Sequence, residues 1–343
     1  MNESNRQRKK DHLDIALSQN VQFDEIETGF DNYRFIHNAL PNIDLRTVNL
    51  STTLFSKTLH APFIISSMVG GIESAQRINR NLAKAAQKIG IAMGVGSQRC
   101  AIEDPNLAET YRVRLIAPDI PLFANLGAVQ LNYGYGLNEC KKAIEMIGAD
   151  GLILHLNPLH EALQTEGNTD FSGLFMKIGE ICNKLTVPVI VKEVGFGISE
   201  EVAQKLVECG VTAIDVAGAG GTSWSEVEHY RASTKRQSRI ASTFNSWGIS
   251  TSDSIAMARR GAPDTLLIAS GGVYTGIDAA KAIVLGADII AIGTPVLKAA
   301  SISSDEAIDL LVAIIEEMRI SMFCVGASNI TELKNSAALR KIE

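Results

Sequence analysis

Glycine pairs and hydroxyl side chains recur in this sequence directly after short apolar runs, where they could bind a phosphate group. The clearest pair is Gly271–Gly272, which precedes Thr275 and a predicted helix, and a later run ends at Gly293–Thr294. Backbone N–H groups of glycine can approach an anion without a Cβ atom in the way, and a helix N-terminus attracts negative charge. A single pair could serve only to make a turn. The recurrence after several runs favours a phosphate site.

The segment from Ser270 to Asp288 carries this signal most strongly. Its sequence, SGGVYTGIDAAKAIVLGAD, resembles the phosphate-binding segment of barrel enzymes that use flavin mononucleotide (FMN). In barrels of this kind the loops after the seventh and eighth strands commonly hold the phosphate. The resemblance is specific for phosphate-binding barrels but not for one reaction.

Lys192 is a second residue that could do chemistry. It lies near the end of the apolar run PVIVKE, and an ammonium group buried there without an anionic partner is strongly unfavourable. One interpretation is that the side chain extends past the strand end into solvent. The other places it beside the flavin ring, where its charge would stabilise the negative charge of the reduced form.

The elements that must position these residues alternate regularly from about residue 62 onward. Eight short apolar runs predict strands buried on both faces, and segments of helical periodicity separate them. From Ala75 to Lys88, for example, apolar residues recur at spacings of three and four, and Gly90 follows. Eight such units predict an α/β fold, the (β/α)8 TIM barrel, since an open doubly wound sheet normally uses fewer strands. The predicted strands are residues 62–67, 90–95, 121–125, 150–156, 188–193, 212–216, 266–270 and 288–292.

Two segments exceed what a minimal barrel needs. Residues 1–60 are predicted to form an N-terminal extension, and residues 61–343 a single barrel domain. A long insertion between Gly218 and Asp253 separates the sixth strand from its helix. Ordered insertions after barrel strands usually serve the active site or contacts between subunits.

Composition argues against several other classes of protein. The 343 residues are 46% hydrophobic, and a net charge of −6 without an aromatic-interleaved basic face argues against nucleic-acid binding. No apolar stretch reaches the roughly 18 residues of a membrane span, and the N-terminus lacks the apolar core of a signal peptide. Five widely spaced cysteines predict reduced, mostly buried thiols. We therefore expect a cytoplasmic protein with no membrane or nucleic-acid partner.

Several short motifs occur together over about residues 6–340. They are Arg8-Lys9-x-x-His12, Ser67-Met68-x-Gly70-Gly71, Gly96-Ser97-Gln98-Arg99, Ala124-Asn125-Leu126-Gly127, His155-Leu156-Asn157-Pro158-Leu159, Lys192-Glu193-Val194-Gly195 and Ala219-Gly220-Gly221-Thr222. Together they resemble the type 2 isopentenyl diphosphate isomerases. The resemblance implies an FMN- and Mg²⁺-dependent enzyme that converts isopentenyl diphosphate to dimethylallyl diphosphate by a 1,3-proton shift. It also implies a cytoplasmic homo-oligomer, a tetramer or octamer, whose flavin is kept reduced by NADPH and serves as acid and base without net redox change.

The same resemblance implies that the extension, residues 1–60, contributes basic substrate contacts and that the barrel, residues 61–343, binds FMN. It also implies a role for individual residues. The catalytic residues are His155, His160 and Lys192, acting with reduced FMN. Glu161 holds Mg²⁺, an ion that prefers one or two carboxylates plus phosphate oxygens. The substrate diphosphate is bound by charged and polar donors, namely Arg8, Lys9, His12, Gln98, Arg99 and His160. FMN is bound by Ser67, Met68, Val69, Ser97, Asn125, Lys192, Thr222, Gly271, Gly272, Gly293 and Thr294.

Four positions depart from the family's pattern and keep two other functions open. They are Val69, His160, Asn168 and Tyr274, which stand where the family usually has threonine, glutamine, aspartate and arginine. Histidine can donate and accept a proton near neutral pH, so His160 is compatible with activity. A redox FMN barrel, such as a 2-hydroxy acid oxidase, is one alternative, although residues 238–254 contain no histidine of the type those oxidases carry late in the barrel. A catalytically impaired descendant of the isomerase is the other.

Overall fold

Eight parallel strands close into a barrel surrounded by helices, which confirms the predicted TIM barrel. The computed structural model describes residues 3–342, with side chains from residue 7 onward. All eight predicted apolar runs form barrel strands, and each begins and ends within three residues of the predicted limits. The strands in chain order are β1 (Tyr33–Phe35), β2 (Thr52–Leu54), β3 (Lys57–Leu59), β4 (Phe63–Ile65), β5 (Ala92–Gly94), β6 (Leu122–Gly127), β7 (Gly151–Leu156), β8 (Val189–Glu193), β9 (Ala213–Asp215), β10 (Leu266–Ala269), β11 (Ile289–Ile292) and β12 (Leu339–Lys341). The barrel order is β10-β11-β4-β5-β6-β7-β8-β9.

Apolar side chains fill the inside of the barrel and the layer between strands and helices. Phe123, Ile153 and Ile190 belong to the inner cluster, together with Leu54 and Leu59 from the β2–β3 hairpin. Burial of each such side chain stabilises the fold by roughly 1.5–3 kcal/mol. Strands covered on both faces explain why the runs are continuously apolar rather than alternating.

The helices follow the strands in the predicted alternation. The segment predicted as a helix from Ala75 to Lys88 extends from Glu73 to Ile89, and Gly90 ends it in the left-handed conformation with φ 78°. The helices are α1 (Glu3–Ser18), α2 (Glu73–Ile89), α3 (Arg99–Glu103), α4 (Leu137–Ile147), α5 (Pro158–Leu163), α6 (Leu174–Lys184), α7 (Glu200–Glu208), α8 (Trp224–Arg231), α9 (Lys235–Thr243), α10 (Thr251–Gly261), α11 (Gly276–Leu285), α12 (Thr294–Ile302), α13 (Ser304–Val325) and α14 (Ile330–Lys334).

The N-terminal extension contacts the barrel at both of its ends. Helix α1 packs on α8 and α12, beside the carboxyl ends of the strands, and β2–β3 covers the opposite end. The insertion after β9 contains α8 and α9, and α10 begins at Thr251, two residues before the predicted limit. Extension and insertion therefore meet over the end of the barrel where active sites of this fold lie.

Two further expectations can be compared with the structure. No helix within residues 3–342 is long and apolar enough to cross a membrane. All five cysteines are free thiols, Cys100 and Cys140 buried and the other three half-buried.

The same arginine–aspartate arrangement occurs twice, on opposite sides of the barrel. Arg114 Nη2 lies 2.7 Å from Asp150 Oδ2, and Arg259 Nη2 lies 2.6 Å from Asp288 Oδ2. In each case Nη1 of the arginine also donates to three carbonyl oxygens of the loop before the strand. Each aspartate also accepts a hydrogen bond from a backbone N–H at the start of that strand, Leu122 in β6 and Leu267 in β10. The surrounding sequences also repeat, as R-x-x-A-P-D and G-A-D. These two side-chain clusters position the starts of β6 and β10.

We expect Arg259→Lys to lower the free energy of unfolding by about 1.5–3 kcal/mol, because one ammonium group cannot reach the acceptors that the planar guanidinium binds. Urea unfolding followed by circular dichroism measures this. The control is Arg260→Lys, since Arg260 is exposed and pairs with Glu200 at the surface; a change of less than about 0.5 kcal/mol is expected there. Equal stability of the two variants would contradict the proposed importance of the Arg259 cluster.

Candidate active site

A cavity of about 280 Å³ lies at the carboxyl ends of the barrel strands, beneath helix α1. Its walls come from strand ends, from α1 and from the insertion after β9. All but one of the residues for which a role was predicted line this cavity. The lining residues among them are Arg8, Lys9, His12, Ser67, Met68, Val69, Ser97, Arg99, Asn125, His155, His160, Glu161, Lys192, Thr222, Gly271, Gly272, Gly293 and Thr294.

Gln98 is the exception, and its predicted contact with substrate is corrected. Its side chain is fully buried, and Nε2 donates to the carbonyl of Ala143 at 2.8 Å while Oε1 accepts from the N–H of Asn125 at 3.0 Å. The reason is that the side-chain amide satisfies backbone groups of α4 and β6. Gln98 therefore positions Asn125 rather than contacting substrate.

The turn after β10 requires its glycines for the packing of the chain itself. Gly271 and Gly272 have φ of 99° and 67°, and a Cβ on Gly271 would lie 2.1 Å from the carbonyl oxygen of Gly218. At Gly293 an added Cβ would make only ordinary van der Waals contacts, 3.8 Å from Met68 Sδ and 3.9 Å from Ser66 Cβ, and Gly293 lines the cavity. Ser67 Oγ is buried and has no hydrogen-bond partner. A glycine and an unpaired hydroxyl on the same cavity fit a polar ligand at the strand ends.

Lys192 points to the cavity side of the barrel and is held by a buried carboxylate. Its Nζ atom lies 3.3 Å from Asp215 Oδ2 and donates to the carbonyl of Glu193 at 2.9 Å. Ser270 Oγ lies 3.3 Å from the same Nζ and donates to Asp215 Oδ1 at 2.5 Å. The interpretation in which Lys192 extends into solvent is wrong, because its side chain is about 90% buried. Asp215 was missed, although a carboxylate in the apolar run TAIDV is itself a signal.

His155 is a neutral imidazole on the cavity wall. Its Nδ1 lies 2.8 Å from Asn125 Oδ1, so the ring donates from Nδ1 and leaves the lone pair of Nε2 available. Burial lowers the pKa of His155 to about 3, and the nearby charges of His160 and Lys192 act in the same direction. At neutral pH this ring can accept a hydrogen bond from a ligand but carries no positive charge.

The lowered pKa of His155 makes stability depend on pH. Between pH 6.5 and about 3 the unfolded chain binds a proton at this residue and the folded chain does not, so stability falls as pH falls through that range. We expect wild-type protein to lose about 1.5 kcal/mol more than His155→Gln between pH 6.5 and 5. Urea unfolding at a series of pH values measures this difference. The exposed His37, changed to glutamine, is the control, and parallel curves for all three proteins would contradict the prediction.

Helix α1 brings three predicted substrate residues to the cavity, namely Arg8, Lys9 and His12. Lys9 Nζ donates to the carbonyls of Gly70 at 3.0 Å and Ser97 at 2.8 Å and to Tyr111 Oη at 2.7 Å. Burial lowers its pKa. All three N–H bonds of the ammonium group are therefore used within the protein, and Lys9 attaches α1 to the barrel. Arg8 makes one side-chain contact, from Nη1 to Gln164 Oε1 at 2.9 Å.

Glu161 lies in the first turns of α5, with both carboxylate oxygens oriented by the protein. Oε1 accepts from Asn157 Nδ2 at 2.9 Å, and Oε2 accepts from the N–H of Asn168 at 2.5 Å. Asn157 Oδ1 is buried without a partner. Arg99 Nη1 donates to Asn168 Oδ1 at 2.9 Å. Asn168, one of the four departures from the family's pattern, therefore connects Glu161, the predicted metal ligand, with Arg99, a predicted substrate residue.

His12 and His160 line the same cavity and form a cluster with Glu228. Glu228 Oε1 is 2.8 Å from His12 Nε2 and 2.9 Å from His160 Nε2. Glu228 Oε2 accepts from Arg231 Nη1 at 2.9 Å. Burial lowers the pKa of His12 to about 4. The pKa of Glu228 is also lowered, because hydrogen bonds to the two imidazoles outweigh the opposite effect of burial.

Sequence reasoning missed Glu228 and Arg231, which lie in the insertion after β9. The expectation that such insertions serve active sites was the only signal for them. Trp224 from the same insertion packs on the His160 ring, with centroids 4.5 Å apart. The remaining departures, Val69 and Tyr274, both line the cavity.

Comparison of the chain with known proteins assigns it to one class of enzyme. The family model for FMN-dependent dehydrogenases matches residues 3–113 and 157–340. A solved flavocytochrome b2 with pyruvate bound shares the fold with a TM-score of 0.70 at 17% identity, over 96% of this chain and 82% of that one. A mandelate oxidase shares it with a TM-score of 0.66 at 15% identity, over 94% of each chain. The barrel and its cavity define an FMN-dependent barrel enzyme.

Curated relatives narrow the class. Isopentenyl-diphosphate delta-isomerase of Nostoc sp. is 51% identical over 98% of this chain and 96% of its own. The protein of that name from Synechocystis sp. is 52% identical over 95% of this chain and 93% of its own. The one from Rickettsia prowazekii is 50% identical over 95% of this chain and 95% of its own. The chain belongs to the type 2 isopentenyl-diphosphate delta-isomerase family, as its motifs predicted.

Proposed function

We propose that this enzyme converts isopentenyl diphosphate to dimethylallyl diphosphate by a 1,3-proton shift, with reduced FMN and Mg²⁺ bound. One observation carries the proposal: a single cavity is lined by the strand-end residues predicted for FMN, by Arg8 and Arg99, and by Glu161. The residues predicted to bind the anionic substrate, the flavin and the metal ion therefore lie around the same cavity.

The residues present fit FMN. The unpaired Ser67 hydroxyl provides a donor for a ligand at the strand ends, and Gly293 lines the cavity there without a side chain. Lys192 supplies a buried positive charge held in place by Asp215, which suits an electron-rich ring. When bound, reduced FMN supplies the acid and base that add a proton at one end of the allylic system and remove one at the other.

The residues present also fit Mg²⁺. Glu161 is buried, and each of its oxygens accepts one hydrogen bond and keeps a lone pair. The free Asn157 Oδ1 beside it can bind a water of the hydrated ion. Mg²⁺ is usually held by one or two carboxylates together with phosphate oxygens and several waters, and this donor set matches that preference.

The chain's own residues would bind and orient the diphosphate. Arg8 offers the guanidinium donors that remain after its contact with Gln164, and Arg99 those that remain after its contacts with Asn168 and Glu103. Guanidinium groups bind phosphate oxygens by charge-assisted hydrogen bonds. His155 would accept a hydrogen bond at Nε2. His160 Nε2, beside Glu228, would hold or release a proton near the substrate.

Three finer features are carried over from the family resemblance. We propose NADPH as the source of electrons for the flavin, a cytoplasmic setting, and assembly as a homo-tetramer or octamer. They depend on the same family membership as the reaction itself.

The test is an anaerobic assay of purified, FMN-reconstituted and reduced protein with isopentenyl diphosphate and Mg²⁺, following dimethylallyl diphosphate by NMR. Product formation that requires reduction and Mg²⁺ is the expected result. Oxygen consumption with 2-hydroxy acids would instead favour a redox barrel. Flavin binding without turnover of any isoprenoid diphosphate would favour the impaired descendant, and a protein that remains colourless after reconstitution would contradict the proposal as a whole.

A further inference from the structure

The cluster of His12, His160 and Glu228 has the composition of a transition-metal site. Its three residues come from three different helices, α1, α5 and α8, and one ligating atom of each lies within 4.8 Å of the others. Their side chains are 14%, 10% and 4% exposed. Two imidazoles and one carboxylate form a ligand set that suits Zn²⁺ and neighbouring divalent ions.

The hydrogen bonds of the cluster are incompatible with one another. His160 Nε2 lies 2.9 Å from Glu228 Oε1 and 2.6 Å from Gln164 Nε2. If His160 Nε2 carries a proton, that N–H points at the N–H group of the Gln164 amide, and two donors face each other. If it carries none, its lone pair points at the Glu228 carboxylate, and two acceptors face each other. Turning the Gln164 amide over would bring its N–H group against the Arg8 guanidinium, which at present donates to Gln164 Oε1. No arrangement of protons satisfies all these atoms.

The surroundings hold the ligands in place for a cation. Arg231 Nη1 binds Glu228 Oε2 and so leaves Oε1 directed at both imidazoles. Trp224 packs against both rings, with centroids 5.4 Å from His12 and 4.5 Å from His160. Contacts of this kind around a site orient the metal ligands and raise the affinity for the ion. The positive charge of Arg231 lowers that affinity.

We infer that His12 Nε2, His160 Nε2 and Glu228 Oε1 bind one divalent ion of the Zn²⁺ type, at a site separate from the Mg²⁺ site proposed at Glu161. Around a tetrahedral Zn²⁺ with bonds of about 2.0–2.1 Å, ligand atoms lie roughly 3.4 Å apart. Binding therefore requires the present separations of 2.8 and 2.9 Å to widen by about half an ångström. The Gln164 amide lies on the cavity wall and can turn away.

The two proposed sites differ in the ions that they select. Mg²⁺ prefers oxygen ligands and is poorly bound by imidazole, whereas Zn²⁺ is bound well by imidazole nitrogen. The ion at the new site occupies the His160 imidazole, which the proposed function places beside substrate, so Zn²⁺ should inhibit the isomerase. This consequence depends on the proposed function, but metal binding itself does not.

The test is equilibrium dialysis of the full-length protein, as purified, against Zn²⁺ in the presence of excess Mg²⁺. Wild-type protein is expected to bind one Zn²⁺ per chain at the cluster. His160→Gln keeps a side chain of similar size and hydrogen-bonding capacity, and should raise the Kd for Zn²⁺ by more than about 100-fold. His12→Asn is a second variant with the same expected effect, in case one of them disturbs the fold.

Glu161→Gln is the matched control, because it changes the proposed Mg²⁺ ligand next to His160 and should leave the Kd for Zn²⁺ within about twofold. Zn²⁺ binding that is unchanged in both histidine variants would assign the ion to other histidines and overturn the inference. Failure of wild-type protein to bind Zn²⁺ below millimolar concentration would also overturn it. Neither result depends on isomerase activity, which the NMR assay tests separately.

Discussion

Exchange of Lys192 for methionine is expected to lower kcat/KM for isopentenyl diphosphate by about 10²- to 10³-fold, since one preorganised charge at a reacting centre is usually worth that much. The same change leaves Asp215 as a buried carboxylate without its cation. Removing one partner of a buried ion pair lowers stability by about 3–5 kcal/mol. The anaerobic assay and urea unfolding measure the two effects separately.

The double variant Lys192→Met, Asp215→Asn separates the chemistry from the fold. An amide in place of the Asp215 carboxylate could still accept from Ser270 Oγ, as the carboxylate does now, and it carries no unpaired charge. We expect most of the stability to return and the activity to stay low. Recovery of activity in the double variant would show that Lys192 serves only to neutralise Asp215.

The second large effect is expected for Glu161→Gln. The amide keeps the shape of the carboxylate but lacks its charge, so activation by Mg²⁺ should be lost and kcat/KM should fall by about 10²- to 10³-fold. FMN content should be unchanged, because Glu161 is not among the residues predicted to bind the flavin. Activity titrated with Mg²⁺ and the flavin absorbance of the purified variant give the two readings.

Glu166→Gln is the control for this change. Glu166 lies in the loop that follows α5 and pairs with Arg231, and its loss should leave the Mg²⁺ titration unaltered. If Glu161→Gln shows the wild-type titration, the metal ion is held elsewhere. If both variants lose activity together, the loop around Asn168 rather than the Glu161 charge is responsible.

The candidate site was predictable to the extent that residue type and strand position determine it. Residues at the carboxyl ends of buried parallel strands must share one end of a barrel, which is why Asn125, His155 and Gly293 line one cavity as expected. Gln98 was placed wrongly because its side chain is fully buried and bonds to backbone groups. Whether a polar side chain faces a ligand or the backbone depends on a rotation that sequence position does not specify.

The sequence by itself determined the eight strands, their alternation with helices and the positions of the glycine-rich turns. Those features follow from local periodicity and from residues that lie next to one another in the chain. Only the tertiary structure decided which charges meet: Lys192 with Asp215, Lys9 with the ends of two strands, and Glu228 with His12 and His160. Lys192 and Asp215 meet because they face each other on the neighbouring strands β8 and β9. The contacts of Lys9 and of Glu228 depend on how the extension and the insertion pack over the barrel.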